Sequence, residues 1–468
     1  PVAIDYYLSL RCIPPPLTML RGVRKLAAGH LLFWRDGEVR TERYWGLSFA
    51  PDESRSDASW VEELEARLDD AVRSHMVSDV PVGAFLSGGL DSGAVVAGMA
   101  RNSEAAFATF CVGSDEVTFD EREHARAVAA HCGTTHHEDS VGPGLIGDVR
   151  RMVAALDEPS DPISACLFEA ARLASRHVKV VLTGDGGDEV FAGFDRYAAF
   201  DRVGRYAALP RWLREGVLRP MIRRIPQEFG YKSLPQRARW LDAVSAADPA
   251  RRYARMTTFF RFGEAEKQWL YGPALAGPLK GADAEAAVAE PFRAADARDA
   301  LHRMISADLL TRLPEHTLML ADRTSMAHGL EARAPLLDHE LAEFTSRMPA
   351  RLKAERGRTK IALRRAVRDW LPAKIVSRPK QGFMFPVAFW LDRDRLNTVR
   401  DSLARGPLVR AAWIREEALD RLVREHLARR EDHHVRLWML LNLDAWYRIF
   451  VDDDPATVPR SPQAQVNA

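Results

Sequence analysis

Six residues, Ser87-Gly88-Gly89-Leu90-Asp91-Ser92, stand between an apolar run (Val80, Val82, Ala84, Phe85, Leu86) and a run of small residues from Gly93 to Ala100. The pattern reads as a strand, a tight glycine turn and the first turns of a helix. Gly88 and Gly89 lack a Cβ, so the backbone can take unusual dihedrals and come close to a ligand. The free N–H groups at the helix start favour an anion there. Ser87 and Ser92 add hydroxyls. Asp91 would repel a phosphate unless a cation stood between them, which points to Mg²⁺ bridging this carboxylate to phosphate oxygens. A plain strand-to-helix turn capped by serine or aspartate is the alternative, but the flanking strand and helix that a phosphate site needs are both present. The lysine of a GxxxxGK[ST] loop is missing, so this is a phosphate loop of another kind.

The rest of the first 200 residues alternates strands with helices. A polar linker, Pro51 to Asp57, precedes an amphipathic helix from Trp60 with Val61, Leu64, Leu68, Ala71 and Val72 on one face. After the glycine loop come a strand over Phe107 to Val112, a helix over Asp120 to His131 closed at Gly133, a strand from His136, and helices over Leu145–Leu156 and Ser164–Ser175. The next strand, Val178 to Leu182, ends in Thr183-Gly184-Asp185-Gly186-Gly187-Asp188-Glu189. This order predicts an α/β fold with a doubly wound parallel sheet and ligands at the carboxyl ends of its strands. Both glycine-rich loops occupy such ends and are expected to share one site. The second loop lacks EF-hand spacing. Asp and Glu also suit a helix N-terminus, but two carboxylate loops facing one triphosphate is the fuller reading, with Asp91 and Asp188 sharing Mg²⁺. Leu31 to Tyr44 reads as a hairpin about Asp36-Gly37. From Val190 to about Asp452 the pattern is almost wholly helical, and the polar tail from Asp453 to Ala468, with three prolines, reads as disordered.

Composition narrows the class. A chain of 468 residues has room for two or three domains. Lys and Arg total 66 against 65 Asp and Glu, a net charge of +1, so no global field argues for nucleic acid or an anionic membrane. The arginine-rich stretches read as solvated helix faces. The four cysteines have no CxxC spacing, which suggests a reducing compartment and a cytoplasmic protein. No run approaches the roughly 18 apolar residues of a membrane span. His131, Cys132, His136 and His137 do not complete a zinc set. The chain begins at Pro1 and reads as a fragment or a processed product.

SGGLDS resembles the pyrophosphate loop of the ATP pyrophosphatase superfamily, whose members cleave ATP between the α and β phosphates to adenylate a substrate. Four further stretches resemble the glutamine-hydrolysing asparagine synthetase family: the segment from Tyr6 to Trp34, TGDGGDEVFAGF (Thr183 to Phe194), LMLADRTSMAHGLEARAPLLDHELAEF (Leu318 to Phe344) and SRPKQGF (Ser377 to Phe383). The resemblance runs over nearly all of residues 1 to 450. It implies a junction left from a glutaminase domain over residues 1–50, a synthetase domain over 58–452 with its α/β core to residue 200 and a mainly helical part beyond, and a tail over 453–468. It implies a ligase that adenylates the β-carboxylate of aspartate with MgATP, then lets ammonia attack to give asparagine, AMP and pyrophosphate. On this reading Ser87, Gly88, Gly89, Asp91 and Ser92 hold the pyrophosphate. Phe85, Leu86, Val112, Thr183 and Gly184 face the nucleotide, Asp91 and Asp188 hold the metal, and Lys380 neutralises developing charge. Asp185 is the candidate base for ammonia; family members often carry glutamate there, one methylene longer. The glutaminase nucleophile is a cysteine at the family's extreme N-terminus, and Cys12, within the junction, cannot replace it. Asp322, Arg323, Glu331, Arg333 and Asp338 are expected as ion pairs and caps on apolar helices, and Asp157 to Pro162 as part of the substrate side. A homodimer is admitted but not required. The rivals are an amide ligase for another acid, of the β-lactam synthetase or peptide cyclase kind, a scaffold with a decayed site, and a tRNA-modifying pyrophosphatase.

Overall fold

The computed structural model describes residues 1–468 except 117–118, 226–232, 246–247, 258–260, 280, 383–385 and 453–468. The predicted tail and Phe383 therefore lie outside the described residues. An N-terminal helix α1 (Val2–Leu10) precedes a hairpin of β1 (His30–Arg35) and β2 (Glu38–Arg43), turned at Asp36-Gly37. Then come α2 (Asp57–His75), β3 (Val82–Phe85), α3 (Leu90–Arg101), β4 (Ala108–Ser114), α4 (Arg122–Cys132), β5 (Thr135–Val141), α5 (Val149–Leu156), α6 (Ile163–Ala174), β6 (Val180–Leu182) and the short α7 (Gly187–Val190). The segment predicted as helix from Leu145 instead runs as a 3₁₀ turn over Pro143–Asp148 before α5 begins. Pro143 and the two glycines Gly144 and Gly147 in that stretch disfavour regular α geometry.

The main sheet is parallel, with strand order β5-β4-β3-β6-β7, where β7 is Glu331–Arg333. The second half is largely helical, as predicted, but β7 interrupts it. Only three residues of that half pair with β6, a run too short to show period-2 alternation among helical sequence. A further small hairpin, β8 (Ala354–Glu355) with β9 (Arg358–Thr359), follows. Strand order reverses between β3 and β6, and the two predicted glycine-rich loops leave these adjacent strands. Open α/β sheets bind ligands at such switch points.

Alternation along β4 assigns the two faces. Phe110 and Val112 pack with Met152, Val153, Cys166 and Ala171 of α5 and α6. Cys111 packs on the other face with α2, α3 and α4, where Trp60, Leu64, Leu68 and Val72 meet Val95, Val96 and Val128. Burying each such large side chain stabilises by roughly 1.5–3 kcal/mol. Truncating fully buried Leu68 to alanine would cost about 2–5 kcal/mol. Helix α1 joins the first core through Ile4, Tyr7 and Leu8. The Tyr7 hydroxyl donates to Ser160 O at 2.7 Å or Met439 O at 3.0 Å, tying the N-terminus to the site region and to the helix His434–Phe450. Among the described residues no helix is long and apolar enough to cross a membrane.

Candidate active site

The loop after β3 turns at Gly88, where φ is +71° and a Cβ would stand 2.5 Å from both Ala125 N and His124 Cβ. The tight turn thus packs directly on α4. Ser87 and Ser92 close the loop: the Ser87 amide donates to Ser92 Oγ at 3.2 Å, and the two hydroxyls lie 3.1 Å apart. Arg378 straps it from outside, donating to Gly88 O at 3.1 Å and pairing with Glu121 at 3.0 Å. Burial pushes the Glu121 carboxyl up to about 7, although Arg378 and Lys380 oppose the rise.

The loop after β6 lies against the first one. The Thr183 amide donates to Arg333 O at 2.8 Å, so the short β7 fixes where the loop begins. A Cβ at Gly184 would sit 2.6 Å from Ser92 N, and one at Gly187 would sit 2.7 Å from the carboxyl carbon of Asp91. Glycine at these positions is what lets the loops touch. The structure therefore brings together Ser87, Gly88, Gly89, Asp91, Ser92, Thr183, Gly184, Asp185 and Asp188, and places Phe85, Leu86 and Val112 at the carboxyl ends of β3 and β4.

Two lysines converge on this acidic pair. Lys380 ion-pairs with Asp188 Oδ2. Lys360, which sequence reasoning missed, ion-pairs with Asp91 Oδ2 and with Asp188 Oδ1 at 2.5 Å, its side chain 3% exposed. It precedes the helix Ile361–Ala366 with φ +55°, a left-handed conformation uncommon for a residue with a side chain. A lysine at a helix N-terminus opposes the helix dipole, and that misfit was the legible signal. Burial raises Asp188, but Lys360 and Lys380 outweigh it and hold the carboxyl well below the usual range. Asp185 goes the other way, pushed up to about 6 by burial and by the charges of Asp91 and Asp188. The two aspartates of one loop are thus set apart, one firmly ionised and one poised near neutrality. Glu189, fully buried behind them, is pushed up to about 8 by burial and Asp188.

The donor set fits a divalent cation. Asp91 Oδ1 is buried without a hydrogen-bond partner, and Asp188 Oδ1 meets Lys360 without hydrogen-bond geometry. Among the described residues no three histidine, cysteine or acidic side chains form a metal cage. A pair of carboxylates completed by phosphate oxygens and water is the usual environment of Mg²⁺ at a nucleotide.

The other predicted polar residues take mixed places. Asp338 caps the helix His339–Ser346, accepting from Glu340 N at 2.9 Å and Leu341 N at 3.2 Å. Glu331 and Arg333 pair at 2.7 Å on a strand rather than a helix, and Arg323 pairs with Asp157 at 2.9 Å. Glu158 meets Lys25 at 2.8 Å, and Asp161 meets His316 at 2.8 Å and Arg11 at 3.3 Å. His136 bonds Thr109 and Glu138, while His137 stacks on His177 at 3.9 Å.

A parallel sheet with a glycine loop and an acidic loop at its switch point is the arrangement of the pyrophosphate-loop synthetase fold. The asparagine synthase family model matches residues 63–448. A Mycobacterium tuberculosis protein named "Putative asparagine synthetase [glutamine-hydrolyzing]" is 34% identical over 99% of this chain and 70% of its own length. Asparagine synthetase [glutamine-hydrolyzing] 1 of Bacillus subtilis is 29% identical over 96% of the chain and 69% of its own length. Amidase chyE of Penicillium rubens is 28% identical over 80% and 60%. The chain belongs to the asparagine synthase family.

Proposed function

We propose that the chain adenylates the β-carboxylate of L-aspartate with MgATP and transfers the acyl group to ammonia. The observation that carries this reading is the contact of the two loops through Gly184 and Gly187, which sets Asp91, Asp185, Asp188, Lys360 and Lys380 around one point. Ser87, Ser92 and the backbone of Gly88 and Gly89 hold the pyrophosphate. Asp91 and Asp188 are the residues that would hold Mg²⁺, which when bound supplies charge neutralisation at the phosphates. Lys380 stabilises the negative charge that grows as pyrophosphate leaves. The carboxylate oxygen attacks the α-phosphorus, the bond to the bridging oxygen breaks, and the acyl-adenylate remains. Ammonia then attacks the carbonyl carbon, Asp185 takes its surplus proton, and AMP departs with the C–O bond electrons.

Ammonia comes from a glutaminase domain, on the same or a separate chain, or is taken up free. The exposed hairpin, with Trp34 71% and Tyr44 66% exposed, is the surface that would receive that domain. A ligase for another carboxylic acid is the second reading, favoured by relatives named as amidases. The test is isotopic. With oxygen-18 in the β-carboxylate of aspartate, adenylation delivers label into AMP; AMP without label contradicts the reading.

A further inference from the structure

The helix Asp195–Ala207 follows the second glycine-rich loop. After Pro210 comes a helical run over 211–224, built of a short α-helix Arg211–Leu213, a π-turn Arg214–Leu218 and an α-helix Arg219–Arg224. No residue of this run is buried. A helix ordinarily gains its stability by packing an apolar face, and this one also carries Gly216 and Pro220 within it, both unfavourable there. Pro220 has no N–H to donate, and the widened π-turn just before it takes up the break in the ladder. The π-turn has a second effect. Val217, Met221 and Ile225 stand four apart and share one face. Trp212 stands five before Val217, which on a regular α-helix would turn it away, but a π-turn takes one more residue per round and brings it back to the same side. All four are exposed, Trp212 by 70% and Met221 by 58%.

Around this apolar stripe stand five arginines and one acid, Glu215, in a chain whose net charge is only +1. Arg211 pairs with Glu215 at 2.8 Å. Arg219 pairs with Asp242 at 2.8 Å and Arg214 donates to the Ser245 hydroxyl at 3.3 Å, which anchors the inner side of the run to the helix Leu234–Val244 and its cap. Arg239 of that helix holds the end of the run, donating to Arg223 O at 3.2 Å and Ile225 O at 3.1 Å. Arg223 and Arg224 are exposed and, among the described residues, pair with no carboxylate. A solvated basic face, as the sequence suggests, accounts for the arginines but leaves four large apolar side chains in water.

We propose that the run over 211–225 is a membrane-surface helix that lays its apolar stripe into the headgroup boundary of an anionic bilayer. The charge fits: arginines flanking the stripe reach anionic headgroups while tryptophan and the aliphatic side chains enter the edge of the acyl region, the depth at which tryptophan settles. The shape fits as well. A helix with no buried residue stands out from the body of the protein and presents a single row of apolar side chains, too narrow for the apolar core and polar rim of a protein interface. A fluid bilayer needs only the row. The consequence is peripheral attachment to a membrane through a surface that contains none of the residues of the two-loop site.

Sedimentation of the full chain with lipid vesicles tests this. Wild type is expected to bind vesicles of equimolar phosphatidylcholine and phosphatidylglycerol about tenfold or more tightly than phosphatidylcholine alone, and to lose that gain at high salt. Arg223→Ala with Arg224→Ala should weaken binding by about tenfold, and Trp212→Ser with Met221→Ser by as much or more, with thermal melts and affinity for an ATP analogue unchanged in both. Trp212→Phe should keep the binding while removing the quenching of tryptophan fluorescence by brominated acyl chains. No vesicle binding by wild type, equal binding to the two kinds of vesicle, or binding that survives the loss of Trp212 and Met221, which is adsorption by charge alone, overturns the proposal. Self-association that Trp212→Ser with Met221→Ser abolishes, without vesicle binding, gives the stripe to a second copy of the chain and likewise overturns it.

Discussion

Lys360 Nζ lies 2.5 Å from Asp188 Oδ1 and also reaches Asp91 Oδ2, so one buried ammonium joins the carboxylates of both glycine-rich loops. Two carboxylates held this close repel each other without a cation between them. Lys360 supplies one from the protein itself. Replacing it by methionine leaves Asp91 without its ion-pair partner and Asp188 with Lys380 alone, and is expected to destabilise the chain by about 3–5 kcal/mol. Thermal melts check this, and MgATP should restore more of the lost stability in Lys360→Met than it adds to wild type.

Asp185 carries an opposed demand. Its carboxyl is pushed up to about 6 in the fold and titrates near 3.8 unfolded, so the folded state binds the extra proton between these values. Stability is therefore lost as pH rises from about 4 to 6, and the penalty persists at neutral pH. Asp185→Asn should raise stability at pH 7 by about 1–3 kcal/mol while lowering amide formation by about 10²–10⁴. At a fixed concentration of unprotonated ammonia, the wild-type rate should climb as pH passes through 6. A flat profile there removes Asp185 as the base.

Glu121 is expected to make nucleotide binding pH-dependent through Arg378. Above about pH 7 its carboxylate is ionised and holds Arg378 over the Gly88 carbonyl; below, the pair weakens. The KM for ATP is expected to fall as pH rises through 7 in wild type and to stay level in Glu121→Gln. Steady-state kinetics at saturating aspartate separate the two.

The turn at Gly88 tolerates no side chain. A methyl group would meet α4 at 2.5 Å on a backbone with φ +71°. Gly88→Ala should cost about 1–3 kcal/mol from conformation alone and should weaken ATP binding more than aspartate binding. Equilibrium titration with a fluorescent ATP analogue measures the first effect directly.

Much of this was legible because the signals were local. The strand–glycine–helix pattern at Ser87 to Ser92 and the apolar run before Thr183 each fit within a dozen residues, so the two loops and their shared sheet edge could be placed. Asp185 and Asp188 were readable as acidic residues, but their opposite titration was not. It depends on Lys360 and Lys380, which stand 172 and 192 residues further along the chain than Asp188. β7 escaped because Glu331–Arg333 borrows its strand character entirely from pairing with β6.

The most direct measurement is product formation by the purified chain given MgATP and L-aspartate, with ammonium or glutamine as nitrogen source and Asp91→Ala as control. The account predicts pyrophosphate and asparagine in equal amounts with ammonium and neither with Asp91→Ala. Nucleotide binding without pyrophosphate release on adding aspartate would contradict it.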